Sequence, residues 1–205
     1  MFEKPIVMID FETTGMSPAN GDRITEVAAL RITGGRVVER FVSLVNCQVR
    51  VPSYITALTG ITQSMVNAAP PASLVVPELL RFIGTDALSA HNASFDERFL
   101  LAESRNLGLM PAHDSLICSL KLSRRLFPGL PSYKLASLSA ALGIRFRSAA
   151  HRAEADAEVT AQVLLHIGAH LRNTYGIAQV EPQLLGRLNR LSAVKARDFL
   201  NKEFG

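Results

Sequence analysis

The sequence predicts an α/β domain built on a mixed sheet, and two patterns predict it. Three strand-like runs stand close together near the start, and from about residue 74 helical runs alternate with short strand candidates. Short loops between consecutive strands favour antiparallel pairing, whereas helices alternating with strands favour a sheet with helices layered on it. At 205 residues, with 48% hydrophobic and 20% charged residues, the chain fits one domain with a full core. No apolar run approaches the ~20 residues that a membrane helix needs, so no membrane partner is expected.

Taken in order, Ile6 to Ile9 are four apolar residues that read as a strand buried on both faces. They run directly into Asp10 and Glu12. Alternation along a strand puts positions i and i+2 on one side, so these acids share a face while Phe11 points to the other. Gly15 to Asp22 reads as a turn-rich loop. Arg23–Ile32 and Arg36–Val45 follow as strands joined at Gly34-Gly35, a hairpin signal, which makes an antiparallel meander. Residues 46–71 read as irregular and turn-rich. Leu74–Ile83 looks helical, with Pro77 expected to start or kink it.

Asp86–His91 is a short strand candidate, and Ser94–Asn106 a helix. Ser94 and Glu97 have capping-box spacing, and Gly108 closes the end. Leu116–Phe127 reads as one helix stopped by Pro128-Gly129, and Lys134–Leu142 as another ending at Gly143. A long helix spans about Ala153–Arg172, and two amphipathic helices fill Glu181–Phe204.

A lone Asp-x-Glu is expected by chance about 0.7 times in a chain this long, so the pair at Asp10 and Glu12 needs partners. Two later acids answer. Asp96 falls in the first turn of its helix, where the dipole favours negative charge, and Phe99 and Leu100 turn it toward the apolar side. Asp156 falls on the stripe 153, 156, 159, 160, 163, 164, 167 of the long helix, which is otherwise core-facing. A carboxylate there is costly unless paired or metal-bound. Asp10, Glu12, Asp96 and Asp156 together form a hard oxygen set suited to Mg2+ or Mn2+. Two such ions about 3.5–4 Å apart clamp both oxygens of a phosphodiester displacement. His151, a turn ahead of Asp156, supplies the side chain type that acts as a base near neutrality.

The stretches Asp-Phe-Glu-Thr-Thr-Gly at 10–15, Leu-Thr-Gly-Ile-Thr at 58–62, His-Asn-Ala-Ser-Phe-Asp at 91–96 and His-Arg-Ala-Glu-Ala-Asp-Ala at 151–157 resemble the DEDDh family of 3′–5′ exonucleases. The likeness is to the proofreading epsilon-subunit type of bacterial replicative polymerases and its stand-alone relatives, and it runs from about Pro5 to Leu171. It implies a ribonuclease H-like fold, a five-stranded mixed sheet with helices on both faces. It implies two Mg2+ (or Mn2+) ions held by Asp10, Glu12, Asp96 and Asp156, and His151 as the base that deprotonates the attacking water. It also implies contact of the 3′-terminal nucleotide with Thr13 and Thr14, an apolar side chain of the Gly60-Ile61 turn against the terminal base, and a pocket lined by Asn92 and Phe95. The activity implied is release of nucleoside 5′-monophosphates from a single-stranded 3′ end.

Other features bear on substrate and setting. The net charge is +4, and Ser115–Ala153 holds no Asp or Glu but carries Lys121, Arg124, Arg125, Lys134, Arg145, Arg147 and Arg152. A one-signed segment attracts a polyanion, so it is expected to guide the strand. DNA is the expected polymer, with RNA 3′-end trimming or short-oligonucleotide degradation the alternative, because the acids see only phosphate and metal. Cys47 and Cys118 form no CxxC or Cys/His cluster, which suits free thiols in a cytoplasmic setting, and the Met-Phe-Glu-Lys-Pro start has no signal-peptide architecture. Residues 1–175 are expected to form the exonuclease domain and 176–205 a C-terminal helical extension. Its apolar stripe, Leu184, Leu188 and Leu191, suits packing on its own domain, a homodimer, or docking to a polymerase; a non-catalytic adaptor is a rival that the intact acids oppose.

Overall fold

The computed structural model describes residues 2–145 and 151–205. Its centre is a five-stranded mixed sheet in the order β3-β2-β1-β4-β5. The meander is as expected: β1 (Ile6–Thr13), β2 (Ile24–Thr33) and β3 (Arg36–Leu44) pair antiparallel. β4 (Ala87–Ala90) and β5 (Leu116–Cys118) join parallel on the other side of β1. Placing β1 in the middle buries both its faces. Ile6 and Met8 enter one apolar cluster while Val7, Ile9 and Phe11 enter another. Asp10 and Glu12 share the parity of Ile6 and Met8, so they lie toward the first cluster's face.

That face is covered by the long helix α7 (Ala153–Tyr175), whose Ala157, Ala161, Leu164 and Ile167 are buried there. The opposite face is covered by α3 (Ala72–Ile83) and α4 (Ser94–Asn106) through Val75, Leu79, Phe99 and Leu100. α3 begins two residues before Leu74, so Pro77 lies inside it rather than at its start. The proline has no N–H to give the Ser73 carbonyl, and the burial of Val75, Val76, Leu79 and Ile83 offsets that loss.

Three local expectations are corrected. Residues 46–71 are not irregular throughout: they hold α1 (Ser53–Thr59) and α2 (Gln63–Ala68) around a small cluster of Cys47, Val51, Ile55, Ile61 and Val66. Helices this short span fewer than two turns, too few to display a 3.6-residue period. The Thr59–Thr62 stretch is the joint between them. Gly60 ends α1 in the left-handed region at φ 74°, and the Thr62 hydroxyl caps α2 by accepting from the Met65 N–H at 3.3 Å.

The second correction concerns 116–127. Leu116–Cys118 pair with Leu88–Ala90 as β5, and only Ser119–Leu126 form helix α5. A three-residue edge strand is hidden by the helix that follows without a loop. The third concerns α4: Ala93, not Ser94, occupies its N-cap, with no side-chain cap bond. The chain is already turning at Asn92, whose carbonyl accepts from the Phe95 N–H at 2.8 Å, so the capping box does not form.

α6 (Leu135–Ala141) precedes α7, and α8 (Pro182–Arg190) and α9 (Ala193–Phe204) complete the chain. The last two pack on the domain itself. Leu185, Leu188, Ala196 and Leu200 are wholly buried in the same cluster as α7. Asn189 also closes the open edge of β5: its side-chain oxygen accepts from the Cys118 N–H at 2.6 Å and its amide donates to the Cys118 carbonyl at 3.1 Å. Unpaired strand edges invite association with other chains, and here one is sealed from within. Both cysteines are free and buried, and among the described residues no helix is long and apolar enough to cross a membrane.

Candidate active site

β1 delivers its two acids at the end of the sheet where α4 and α7 begin. One carboxylate oxygen each from Asp10, Glu12 and Asp156 lie within 4.8 Å of one another, so strand parity and the helical stripe do converge on one point. Asp96 approaches from α4 on the other side of β1. It is 3% exposed and accepts from the Phe11 N–H at 3.2 Å, which places it between the two acids of the strand.

The electrostatics of the cluster are those of crowded carboxylates, with Asp96 buried and Asp10, Glu12 and Asp156 half-buried. Asp10 is pushed well above the usual range by burial, then by Asp96, Asp156 and Glu12. Burial, with help from Asp156 and Glu26 and against the pull of Arg152, pushes Glu12 up to about 7. Burial likewise raises Asp96, and Asp156 is raised by burial while His151 holds it down. The Asp156 Oδ1 is buried without a hydrogen-bond partner. An unpartnered carboxylate oxygen aimed into a nest of like charges is unstable by itself. The residues therefore fit a divalent cation: Asp10, Glu12 and Asp156 would ligate it, with Asp96 beside them.

His151 is exposed at the lip of this cluster, with φ 64°. Asn92 is exposed as well and adopts φ 63°. Two non-glycine residues in the left-handed region flank the acids; such conformations cost energy and are retained at functional loops. Phe95 is half-buried, its ring 5.0 Å from that of Phe99. Thr13 and Thr14 are buried with their hydroxyls spent internally. Thr13 donates to the Gly15 carbonyl at 2.6 Å, and Thr14 accepts from the Arg23 N–H at 3.0 Å. Gly15 is tight, since a Cβ there would lie 2.4 Å from an Asp22 carboxylate oxygen.

One member of the set is not where the family resemblance put it. Ile61 is 0% exposed and packs inside the small cluster of α1 and α2, so its side chain has no face left for a base. Leu58, just before the Thr59-Gly60 joint, is 52% exposed and is the apolar side chain this turn presents.

The sequence reading missed two carboxylates. Glu26 is directly opposite Glu12 in the β1–β2 register and only 3% exposed. It accepts from the Arg152 guanidinium at 3.1 Å and from the Ala153 N–H at 2.9 Å, tying the start of α7, and His151 just ahead of it, to the sheet. Its signal was available: a lone acid inside the apolar run Ile24–Leu30. Glu103 similarly locks α4 to β2, taking both Nε and NH2 of Arg23 at 2.8 Å. Arg152 is therefore engaged internally rather than free for a polyanion. So is Arg125, whose guanidinium donates to the carbonyls of Leu191, Asn189 and Lys121. Arg147 lies outside the described residues.

With this geometry in place, comparison with known proteins is decisive. A family model described as exonuclease (RNase_T) matches residues 7–164. The chain belongs to the exonuclease family. It is 37% identical over 192 residues to the 3′-5′ exonuclease DinG of Bacillus subtilis (strain 168), covering 94% of this chain and 20% of that protein. It is 32% identical to the DNA polymerase III subunit epsilon of Aquifex aeolicus (strain VF5), covering 86% of this chain and 87% of that one. The chain thus spans a fifth or less of DinG and of the PolC-type polymerases it resembles, such as that of Clostridium perfringens (strain 13 / Type A), at 11%. A solved structure of exonuclease X in complex with 5′-overhanging duplex DNA superimposes with a TM-score of 0.69 at 27% identity, covering 90% of this chain and 99% of that one. Structural neighbours of this family are ribonuclease H-like, in agreement with the five-stranded mixed sheet.

Proposed function

We propose that this chain is a metal-dependent 3′–5′ exonuclease that removes nucleoside 5′-monophosphates from single-stranded 3′ ends, with DNA as the polymer. The carrying observation is the convergence of Asp10, Glu12 and Asp156 oxygens within 4.8 Å, with one Asp156 oxygen buried and unpartnered. Family membership and the named exonucleases among its relatives support the same reading.

Divalent ions held there would supply Lewis-acid stabilisation of the attacking and leaving oxygens. The chain's own residues do the rest. Asp10 and Glu12, fixed by β1, and Asp156, fixed by α7, set the place where the scissile phosphate is received. His151, on the exposed lip, takes the proton from the attacking water; a water oxygen bonds to phosphorus as the bond to the 3′ oxygen of the preceding nucleotide breaks. Asn92 and Phe95 flank the terminal nucleotide, the backbone at Thr13-Thr14 borders it, and Leu58 offers the apolar surface for the base. A polymerase is the partner that the epsilon-like relative suggests.

End-labelled single-stranded DNA and RNA of several lengths, incubated with Mg2+, Mn2+ or EDTA, test this directly. Mononucleotides released stepwise from the 3′ end of DNA, and none in EDTA, are expected. Preference for RNA would replace DNA with RNA in the proposal, and metal-independent cleavage would sink it.

A further inference from the structure

The basic segment 115–153 is divided by the fold. Arg152 and Arg125 are spent on Glu26 and on backbone carbonyls. Arg124 and Lys134 are exposed, and neither has a carboxylate at ion-pair distance among the described residues. They come from different elements, α5 and the residue just before α6, yet both line one cleft of about 680 Å3 with His91, Asn92, Ser132 and Tyr133. Among the described residues no acidic side chain lines it.

The cleft begins at the active site. Asn92 belongs to its lining and also to the left-handed turn that leads from β4 into the helix bearing Asp96. Its far wall is held firmly. His91 bonds the Tyr133 carbonyl through Nε2 at 2.9 Å and the Ser119 hydroxyl through Nδ1 at 3.0 Å. With Nε2–H donating to the carbonyl, Nδ1 accepts from the hydroxyl. The Tyr133 hydroxyl donates to the Phe127 carbonyl at 2.7 Å, and the Arg124 guanidinium lies 5.8 Å from the Tyr133 ring centre, a cation–π distance. The result is a groove with two donor-only cations, an aromatic ring and the Ser132 hydroxyl. Phosphodiester oxygens are the chemistry that suits these groups.

We propose that this cleft binds the phosphodiester backbone of the substrate strand upstream of the nucleotide being removed, with Arg124 and Lys134 as its phosphate contacts. The assignment rests on the exonuclease reading above and adds where the strand runs. Arg124 and Lys134 touch no reacting atom, so they act on strand binding and not on the bond-breaking step.

The test compares the unaltered chain with Arg124→Ala/Lys134→Ala on two substrates. One is a single strand of about ten nucleotides, long enough to fill such a groove. The other is the p-nitrophenyl ester of thymidine 5′-monophosphate, which has no upstream strand. On the oligonucleotide, KM rises roughly 10-fold or more with kcat nearly constant, and the salt dependence of log Kd weakens by about 1.4, from about 0.7 per lost phosphate contact. On the ester, kcat/KM stays within about 2-fold. Arg124→Glu, also at an exposed position, raises the oligonucleotide KM further. An unchanged oligonucleotide KM and salt slope, or an equal loss on both substrates, overturns the cleft assignment while leaving the hydrolytic reading standing. An unaltered chain that cleaves neither substrate overturns the hydrolytic reading, and this one with it.

Discussion

At the residue scale, the site is governed by one electrostatic problem, the burial of four carboxylates around the end of β1. Asp10 is destabilised as a carboxylate by burial and by Asp96, Asp156 and Glu12 around it, so Asp10→Ala is expected to remove a proposed metal ligand while relieving that repulsion. Exonuclease activity is expected to fall by about 10²–10³-fold or more, while thermal stability measured without metal stays the same or rises. His151→Ala is expected to lower kcat by about 10²–10⁴-fold, with oligonucleotide binding retained in a fluorescence titration. Glu26 raises a different point. It touches no reacting atom, yet it holds Arg152 and the Ala153 N–H immediately after His151. Glu26→Gln keeps shape but loses the charge-assisted pairing, so kcat should drop by about 10–100-fold with KM little changed. A KM effect without a kcat effect would argue against that role.

At the element scale, the C-terminal helices are part of the core. Leu188 of α8 is wholly buried in the cluster that also holds Ile167 and Leu171 of α7. Leu188→Ala is expected to destabilise the protein by about 2–5 kcal/mol in urea unfolding. Asn189→Ala leaves the Cys118 N–H and carbonyl without their partner, at a cost of about 1–3 kcal/mol. Both substitutions act on α7 and β5 rather than on the acids, so they should change stability more than kcat. The same packing speaks to the division at 175/176: α8 and α9 lie outside the matched residues 7–164, but their side chains fill the same core as α7.

At the scale of the whole molecule, the acids tie β1, α4 and α7 together only if their charge is balanced. Glu12 is shifted from an ordinary 4.5 to about 7, so the metal-free folded state takes up protons relative to the unfolded chain. Stability from this source is present in acid and is lost as pH rises from about 4.5 through about 7. The metal-free Tm is therefore expected to fall across that interval in calorimetric scans. Mg2+ competes with the same protons and should bind more tightly at pH 8 than at pH 5. At about 100 times its Kd it contributes about 2.7 kcal/mol, or roughly 5–10 °C in Tm for a domain of this size. A Tm insensitive to Mg2+ at pH 8 would contradict the assignment of the ligands.

What the sequence by itself determined is local and periodic. Alternation in residues 6–12 put Asp10 and Glu12 on one face, and the 3.6-residue stripe put Asp156 toward the core, because each pattern is written in neighbouring side chains. The meander and the long helix were legible for the same reason. Tertiary structure alone decided what depends on partners far apart in the chain. The Asp96 carboxylate meets Phe11 across 85 positions, and Arg152 meets Glu26 across 126. Ile61 is buried by a cluster of two helices too short to announce themselves, and β5 exists because β4 is beside it. Whether an arginine is free for phosphate or spent on a carbonyl is likewise settled by the register and order of the sheet, which no short window of sequence contains.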